Sequence, residues 1–89
     1  MKSKTVAIIN RMGFHARAAA KFVHKANEFQ SKIFVTFNNQ TVNGKSIMGL
    51  LMLAAPYGSK LEIAVTGPDE ESALENLIRI VEEGFNETL

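Results

Sequence analysis

The stretch Leu61-Glu62-Ile63-Ala64-Val65-Thr66-Gly67-Pro68-Asp69-Glu70-Glu71 contains a strand, a stop and a helix start in immediate succession. Leu61, Ile63 and Val65 alternate with Glu62, Ala64 and Thr66, which is the period of a half-buried strand. Gly67-Pro68-Asp69 ends it. Asp69 is the expected N-cap of the next helix, and Glu70 and Glu71 suit the positive end of a helix dipole. Leu74, Leu77, Ile78, Val81 and Phe85 then supply the apolar stripe of that helix. A strand with one polar face beside a helix with one apolar face calls for a sheet with helices packed on it.

The remaining sequence supplies the partners. Residues 5–9, Thr-Val-Ala-Ile-Ile, read as a first strand, broken by Asn10-Arg11-Met12-Gly13. Over residues 16–27 the set Ala19, Phe22, Val23 and Ala26 has helical spacing, with Lys21 and Lys25 on the other side. Ile33, Val35 and Phe37 alternate with Phe34 and Thr36 as a second strand. Asn38-Asn39 signals a turn, and residues 40–42 return as a short partner strand. Residues 47–55 are apolar on nearly every side and read as a short helix that stops before Pro56. The order is βαββαβα. It predicts an α+β, two-layer open-faced β-sandwich, with a four-stranded antiparallel sheet covered by three helices.

The chain has 89 residues, so one domain spanning 1–89 is expected. With 46% hydrophobic and 21% charged residues it suits a globular core and is no disordered tail. It has no cysteine, which excludes disulfides, thiolate metal sites and a cysteine nucleophile. His24 has no second histidine or carboxylate at metal-ligand spacing, so no metal and no cofactor are expected. No apolar run approaches the roughly 18 residues of a membrane span, and Met1-Lys2-Ser3-Lys4 has no apolar segment behind it. A cytoplasmic monomer without membrane insertion is the expectation.

The net charge of +1 conceals a strong polarity. Residues 1–60 hold nine basic side chains and only Glu28 as an acid, giving +8. Residues 61–89 hold Arg79 and eight acids, giving −7. A basic part suits phosphate, nucleic acid, a membrane surface or an acidic protein. Nucleic acid is disfavoured because Phe34 and Phe37 fall on opposite faces of one strand and cannot form a stacking platform. The acidic last helix is expected on the far side from any anion site.

Two helix starts carry the candidate chemistry. In Gly13-Phe14-His15-Ala16-Arg17, His15 falls at the N-cap or first turn, although histidine is not a leading N-cap residue. Free N–H groups there attract anions, so a phosphoryl group on His15 has backbone donors at Ala16 and Arg17. The Arg17 guanidinium adds a forked, charge-assisted contact. Taken alone, His-x-Arg is also what a surface histidine beside a lysine-rich helix looks like. Ser46 follows Asn43-Gly44-Lys45 and reads equally as an ordinary N-cap or as a phosphorylation site. Behind it, Met48 and Met52 point away from the stripe Ile47, Leu50, Leu51 and Ala54. They either fill core gaps or form an apolar docking patch.

Together, Gly13-Phe14-His15-Ala16-Arg17-Ala18-Ala19 and Asn43-Gly44-Lys45-Ser46-Ile47-Met48-Gly49-Leu50 resemble the two signatures of the HPr family, histidine-containing phosphocarriers of the bacterial sugar phosphotransferase system. The resemblance covers essentially the whole chain. It implies that His15 takes a phosphoryl group at Nδ1 from phospho-enzyme I and passes it to a histidine of an enzyme IIA domain. It implies that Arg17 steadies the phosphoryl oxygens, that Ser46 is the target of HPr kinase/phosphorylase, and that Ile47, Met48 and Leu51 dock partners. Such a protein is a phosphoryl carrier within a relay and not a stand-alone enzyme. Ala18 stands where the family usually has proline, which raises the alternative of a regulatory or nitrogen-branch paralogue acting as a phosphorylation-dependent binding module.

Overall fold

In the computed structural model, which describes residues 1–87, the alternating stretch forms β4 (Lys60–Thr66). It lies inside a sheet of order β1-β4-β2-β3, where β1 is Lys2–Ala7, β2 is Lys32–Phe37 and β3 is Gln40–Asn43. All three pairings are antiparallel. Ile63 stands opposite Lys4 in β1 and Val35 in β2, and Val65 stands opposite Lys2 and Ile33. Leu61, Ile63, Val65, Ile33 and Val35 are buried on one face. Glu62 and Thr36 share the other face, together with Thr5 and Thr41. A one-residue slip would turn the whole apolar set to water, so this pattern fixes the register.

The helices α1 (Ala16–Ala26), α2 (Ile47–Met52) and α3 (Glu70–Glu82) follow at the predicted places in the chain. α3 packs on β1 and β4, and α1 packs against α2 and α3. The four predicted stripe residues of α1 are buried, and so is Ala18. The architecture is the two-layer open-faced sandwich, with βαββαβα order.

Four local expectations need correction. The β1 ladder begins at Lys2 and ends at Ala7, instead of covering 5–9. Backbone pairing with β4 sets its limits, and an edge strand accepts Lys2 and Lys4 where apolar run-counting does not. α2 ends at Met52, short of residue 55, because Ala54 takes a positive φ of 50° and Ala55 turns into the core. Ala54 is therefore exposed, not part of a buried stripe. Asp69 occupies the N-cap position but makes no capping hydrogen bond. Its carboxylate instead accepts from Gln30 N, Ser31 N and Ser31 Oγ at 3.0, 3.0 and 2.5 Å, tying the start of β2 to the start of α3. Phe85 lies beyond α3 in a 3₁₀ turn (Gly84–Asn86), with φ of 58°, and is fully buried. The Asn38-Asn39 turn is as expected: both residues have positive φ, as a tight two-residue hairpin turn requires.

Candidate functional site

The loop between β1 and α1 is held so that one imidazole meets solvent. Gly13 has φ of 69°, and a Cβ at that position would lie 2.6 Å from the Ala55 carbonyl oxygen. Only glycine fits that close approach in the left-handed region. The next residue seals it: Phe14 N donates to Ala55 O at 2.9 Å. The Phe14 ring is buried, edge-on to Phe22 at 5.7 Å and stacked on Phe85 at 5.5 Å. Each ring pair adds about 0.5–1.5 kcal/mol beyond burial. The backbone entering His15 is thus fixed from both sides.

His15 is the N-cap of α1. Its backbone is extended, and Ala19 N donates to its carbonyl at 2.8 Å. Its Nδ1 accepts from Arg17 N at 3.3 Å, a long bond made by the side chain in place of the usual hydroxyl or carboxylate. The other ring nitrogen, Nε2, contacts the Glu87 carboxylate. Asn10, fully buried, donates through Nδ2 to Gly13 O at 2.7 Å and to Glu87 Oε1 at 3.0 Å. Lys21 Nζ donates to Phe85 O at 2.5 Å. Burial raises the Glu87 pKa, but hydrogen bonds from His15 and Asn10 and the charges of His15 and Lys21 outweigh it, leaving the carboxyl below its ordinary value.

A shallow cleft of about 590 Å³ opens here, lined by Arg11, Met12, His15, Arg17, Lys21 and Glu87 among others. Three cations face one carboxylate, so the cleft favours an anion. Ala16 and Arg17 are exposed, and the Ala16 and Ala18 N–H groups have no hydrogen-bond partner among the described residues. A larger groove of about 720 Å³ between α1 and α3 shares Arg17 and Lys21 with the cleft. Among the described residues no cluster of three or more His, Cys, Asp or Glu side chains could hold a metal ion, and His24 is exposed on α1.

Ser46 caps α2. Its Oγ accepts from Gly49 N at 3.0 Å. Gly49 keeps the turn open, since a Cβ there would crowd Ser46 Oγ and Val42 Cβ at 3.3 Å. Lys45 N donates to Asn43 Oδ1 at 2.8 Å, bending the chain into the cap. The Lys45 ammonium donates to Phe29 O at 2.7 Å. Met48 and Met52 do not fill core gaps: they are 70% and 69% exposed, and Ile47 is 40% exposed. Leu51 is half-buried and packs on the core, while Leu50 is the buried anchor. Met12, 70% exposed, adds apolar surface beside His15.

His15, Ala16 and Arg17 come together as the sequence suggests. Sequence reasoning missed Asn10 and Glu87, and it placed Phe85 on the helix and not in the turn beyond it. Asn10 reads as a turn residue, yet its position at the end of an apolar run was a hint of burial. Glu87 counts among the acids assigned to the far side, and the 3₁₀ turn brings it back to the imidazole.

Residues 2–83 match the family described as PTS HPr component phosphorylation site. Over 87 residues the chain is 47% identical to the phosphocarrier protein HPr of Treponema pallidum, covering 98% of this chain and 99% of that protein. It is 45% identical to the phosphocarrier protein HPr of Neisseria meningitidis serogroup A, covering 98% of each. Among solved structures, HPr-C-His from Thermoanaerobacter tengcongensis superposes with a TM-score of 0.96 at 43% identity, covering all of both chains. An HPr dimer from the same organism matches with a TM-score of 0.78 at 42% identity, covering 98% of this chain and all of that one. With sheet order, capped histidine and whole-chain similarity in agreement, this chain belongs to the HPr phosphocarrier family of the phosphotransferase system.

Proposed function

We propose that the chain carries phosphoryl groups on His15, accepting them from phospho-enzyme I and passing them to a histidine of enzyme IIA domains for sugar uptake. The observation that carries this reading is the position of His15 Nδ1 at the start of α1, facing the first-turn N–H of Arg17 in a cationic cleft. A phosphoryl group on Nδ1 takes the place of that long bond. Its oxygens then meet the Arg17 and Ala16 N–H groups, and the guanidinium of Arg17 adds charge-assisted contacts. The site is shallow, which suits a group that must be loaded and unloaded by two different proteins. The partners supply the opposing catalytic groups.

Ile47, Met48 and Leu51 form the docking surface, extended by Met52. Exposed, adaptable methionine side chains support this role. Ser46 is the regulatory position, modified by HPr kinase/phosphorylase. A phosphate there carries about −1.5 to −2 charge and opposes the attraction of the cationic cleft for acidic partner faces. The chain works as one domain over residues 1–89, in the cytoplasm, as a monomer. No helix among the described residues is long and apolar enough to cross a membrane.

Mixing the protein with enzyme I and phosphoenolpyruvate should give a base-stable, acid-labile phosphate that His15→Ala lacks. Undiminished labelling of His15→Ala would sink the reading. Running the assay with sugar-branch and nitrogen-branch enzyme I assigns the branch. For Ser46, incubation with HPr kinase/phosphorylase and ATP should add one phosphate by intact mass; an unmodified Ser46 removes the regulatory role alone.

A further inference from the structure

We infer that Glu87 is a positioning residue for His15, fixing the imidazole tautomer so that Nδ1 presents its lone pair to the incoming phosphoryl group. The inference deepens the carrier reading and rests on it.

The two ring nitrogens of His15 have partners of opposite kind. Arg17 N is a donor, so Nδ1 must be an acceptor. The Glu87 carboxylate, ionised at neutral pH, is an acceptor only, so the Nε2 that contacts it must carry a proton. In the neutral ring both contacts can be made by the Nε2–H tautomer and by no other. A ring nitrogen's reactivity is set by the hydrogen bond its counterpart makes.

Glu87 is itself held. Asn10 is fully buried in the loop that leads to His15, and its Nδ2 binds both Gly13 O and Glu87 Oε1. One carboxylate oxygen is thereby tied to the loop while the other faces the imidazole. Lys21 grips Phe85 O, and the Phe85 ring stacks on Phe14, next to His15 in the chain. Phe85 and Asn86 both adopt positive φ, at 58° and 60°, which non-glycine residues rarely do. Three attachments hold the chain in this unusual turn, and its effect is to carry Glu87 back to the ring.

The chemical step then balances. The Nδ1 lone pair forms the new N–P bond, and the bond from phosphorus to the donor breaks with its electron pair left on the donor. The ring keeps its Nε2 proton, and the positive charge gained by the imidazole faces the Glu87 carboxylate. Return of the phosphoryl group to an acceptor reverses each movement.

The test reads the tautomer directly, by NMR of ¹⁵N-histidine-labelled protein without enzyme I. In the wild type, neutral His15 should show a protonated Nε2 and a bare Nδ1. Glu87→Ala should give a mixture of tautomers and slow phosphoryl acceptance about 10-fold, the low end of what removing the carboxylate behind a metal-bound histidine costs. Glu87→Gln keeps a carbonyl acceptor and should restore the single tautomer. Identical imidazole nitrogen shifts in wild type and Glu87→Ala would overturn the inference. Failure of the wild type to take phosphate is a separate result, which strikes the carrier reading, because the NMR measurement needs no transfer.

Discussion

His15 and Ser46 occupy the same position in two helices and use it differently. Each is an N-cap with extended backbone and each accepts a first-turn N–H on its side chain. Ser46 does so with a hydroxyl at 3.0 Å, two residues beyond a bend set by Asn43 Oδ1. His15 does so at 3.3 Å with Nδ1, the nitrogen proposed above as the phosphoryl acceptor. A strong cap would occupy that lone pair. The weak one leaves it available, and the loop obtains its rigidity elsewhere, from Gly13, Phe14 and the Phe85 stack. One helix start is stabilised by its cap; the other is stabilised around it.

Substitutions can break this contrast. His15→Ala should abolish phosphoryl acceptance altogether while costing no more stability than Ser46→Ala, measured by radiolabel transfer and urea unfolding. A larger stability loss at His15 would mean that its cap is structural after all. Phe85→Ala should cost about 3–5 kcal/mol in the same unfolding experiment, as large-to-small changes of buried aromatics do. It should also slow transfer in the surviving folded protein, because the ring fixes the loop and the turn bearing Glu87.

Arg17→Ala should slow transfer about 10-fold or more, since a charge-assisted hydrogen bond contributes about 1.5–3 kcal/mol. Its melting temperature should stay near that of the wild type, because the side chain is exposed. Ser46→Ala should cost about 1 kcal/mol through the lost cap, with transfer through His15 retained. Ser46→Asp keeps a cap acceptor and should recover that stability while weakening partner binding at low salt.

The smallest effect concerns Asp69. Its pKa is lowered by the hydrogen bond from Ser31 Oγ, helped by Gln30 N and Ser31 N against the cost of burial. A carboxyl lowered on folding contributes stability that is complete above its ordinary value of 3.8 and lost as pH falls through the lower folded-state value. Asp69→Asn should therefore reduce melting temperature at pH 7 and narrow its difference from wild type below pH 3.8. A constant difference across that range would show that the contact is not ionic in origin.

Periodicity made the sheet and helix faces legible in the sequence. Ile63 and Val65 or Phe22 and Val23 announce their burial through local spacing, and the Asn38-Asn39 turn through composition. Two helix starts were legible too: His15 and Ser46 both stand at N-caps, with Arg17 in the first turn behind His15. Asp69 shows where this fails. Composition marks it correctly as the residue before α3, yet its bonds go to Ser31, 38 residues away in the chain. Phe85 fits the helical stripe by spacing, but a left-handed turn that no local rule demands sends its ring under Phe14. The charge split likewise suggested that the acids lie opposite the anion site. Half of the eight belong to α3, but Glu87 returns to the imidazole. Long-range contacts decide these cases, and spacing carries no information about them.

The partnership of Glu87 with His15 spans 72 residues of chain. Contacts of such separation carry the closure entropy of the intervening loop, a cost that weighs on folding rate. The β2–β3 hairpin can form from neighbouring residues alone, whereas the surroundings of His15 are complete only once the turn at Gly84–Asn86 has wrapped onto the loop at Asn10–Phe14. A nascent or partly opened chain therefore holds its histidine without the finished pocket. On the carrier reading proposed above, such a chain should accept phosphoryl groups more slowly than one that has folded through to this last turn.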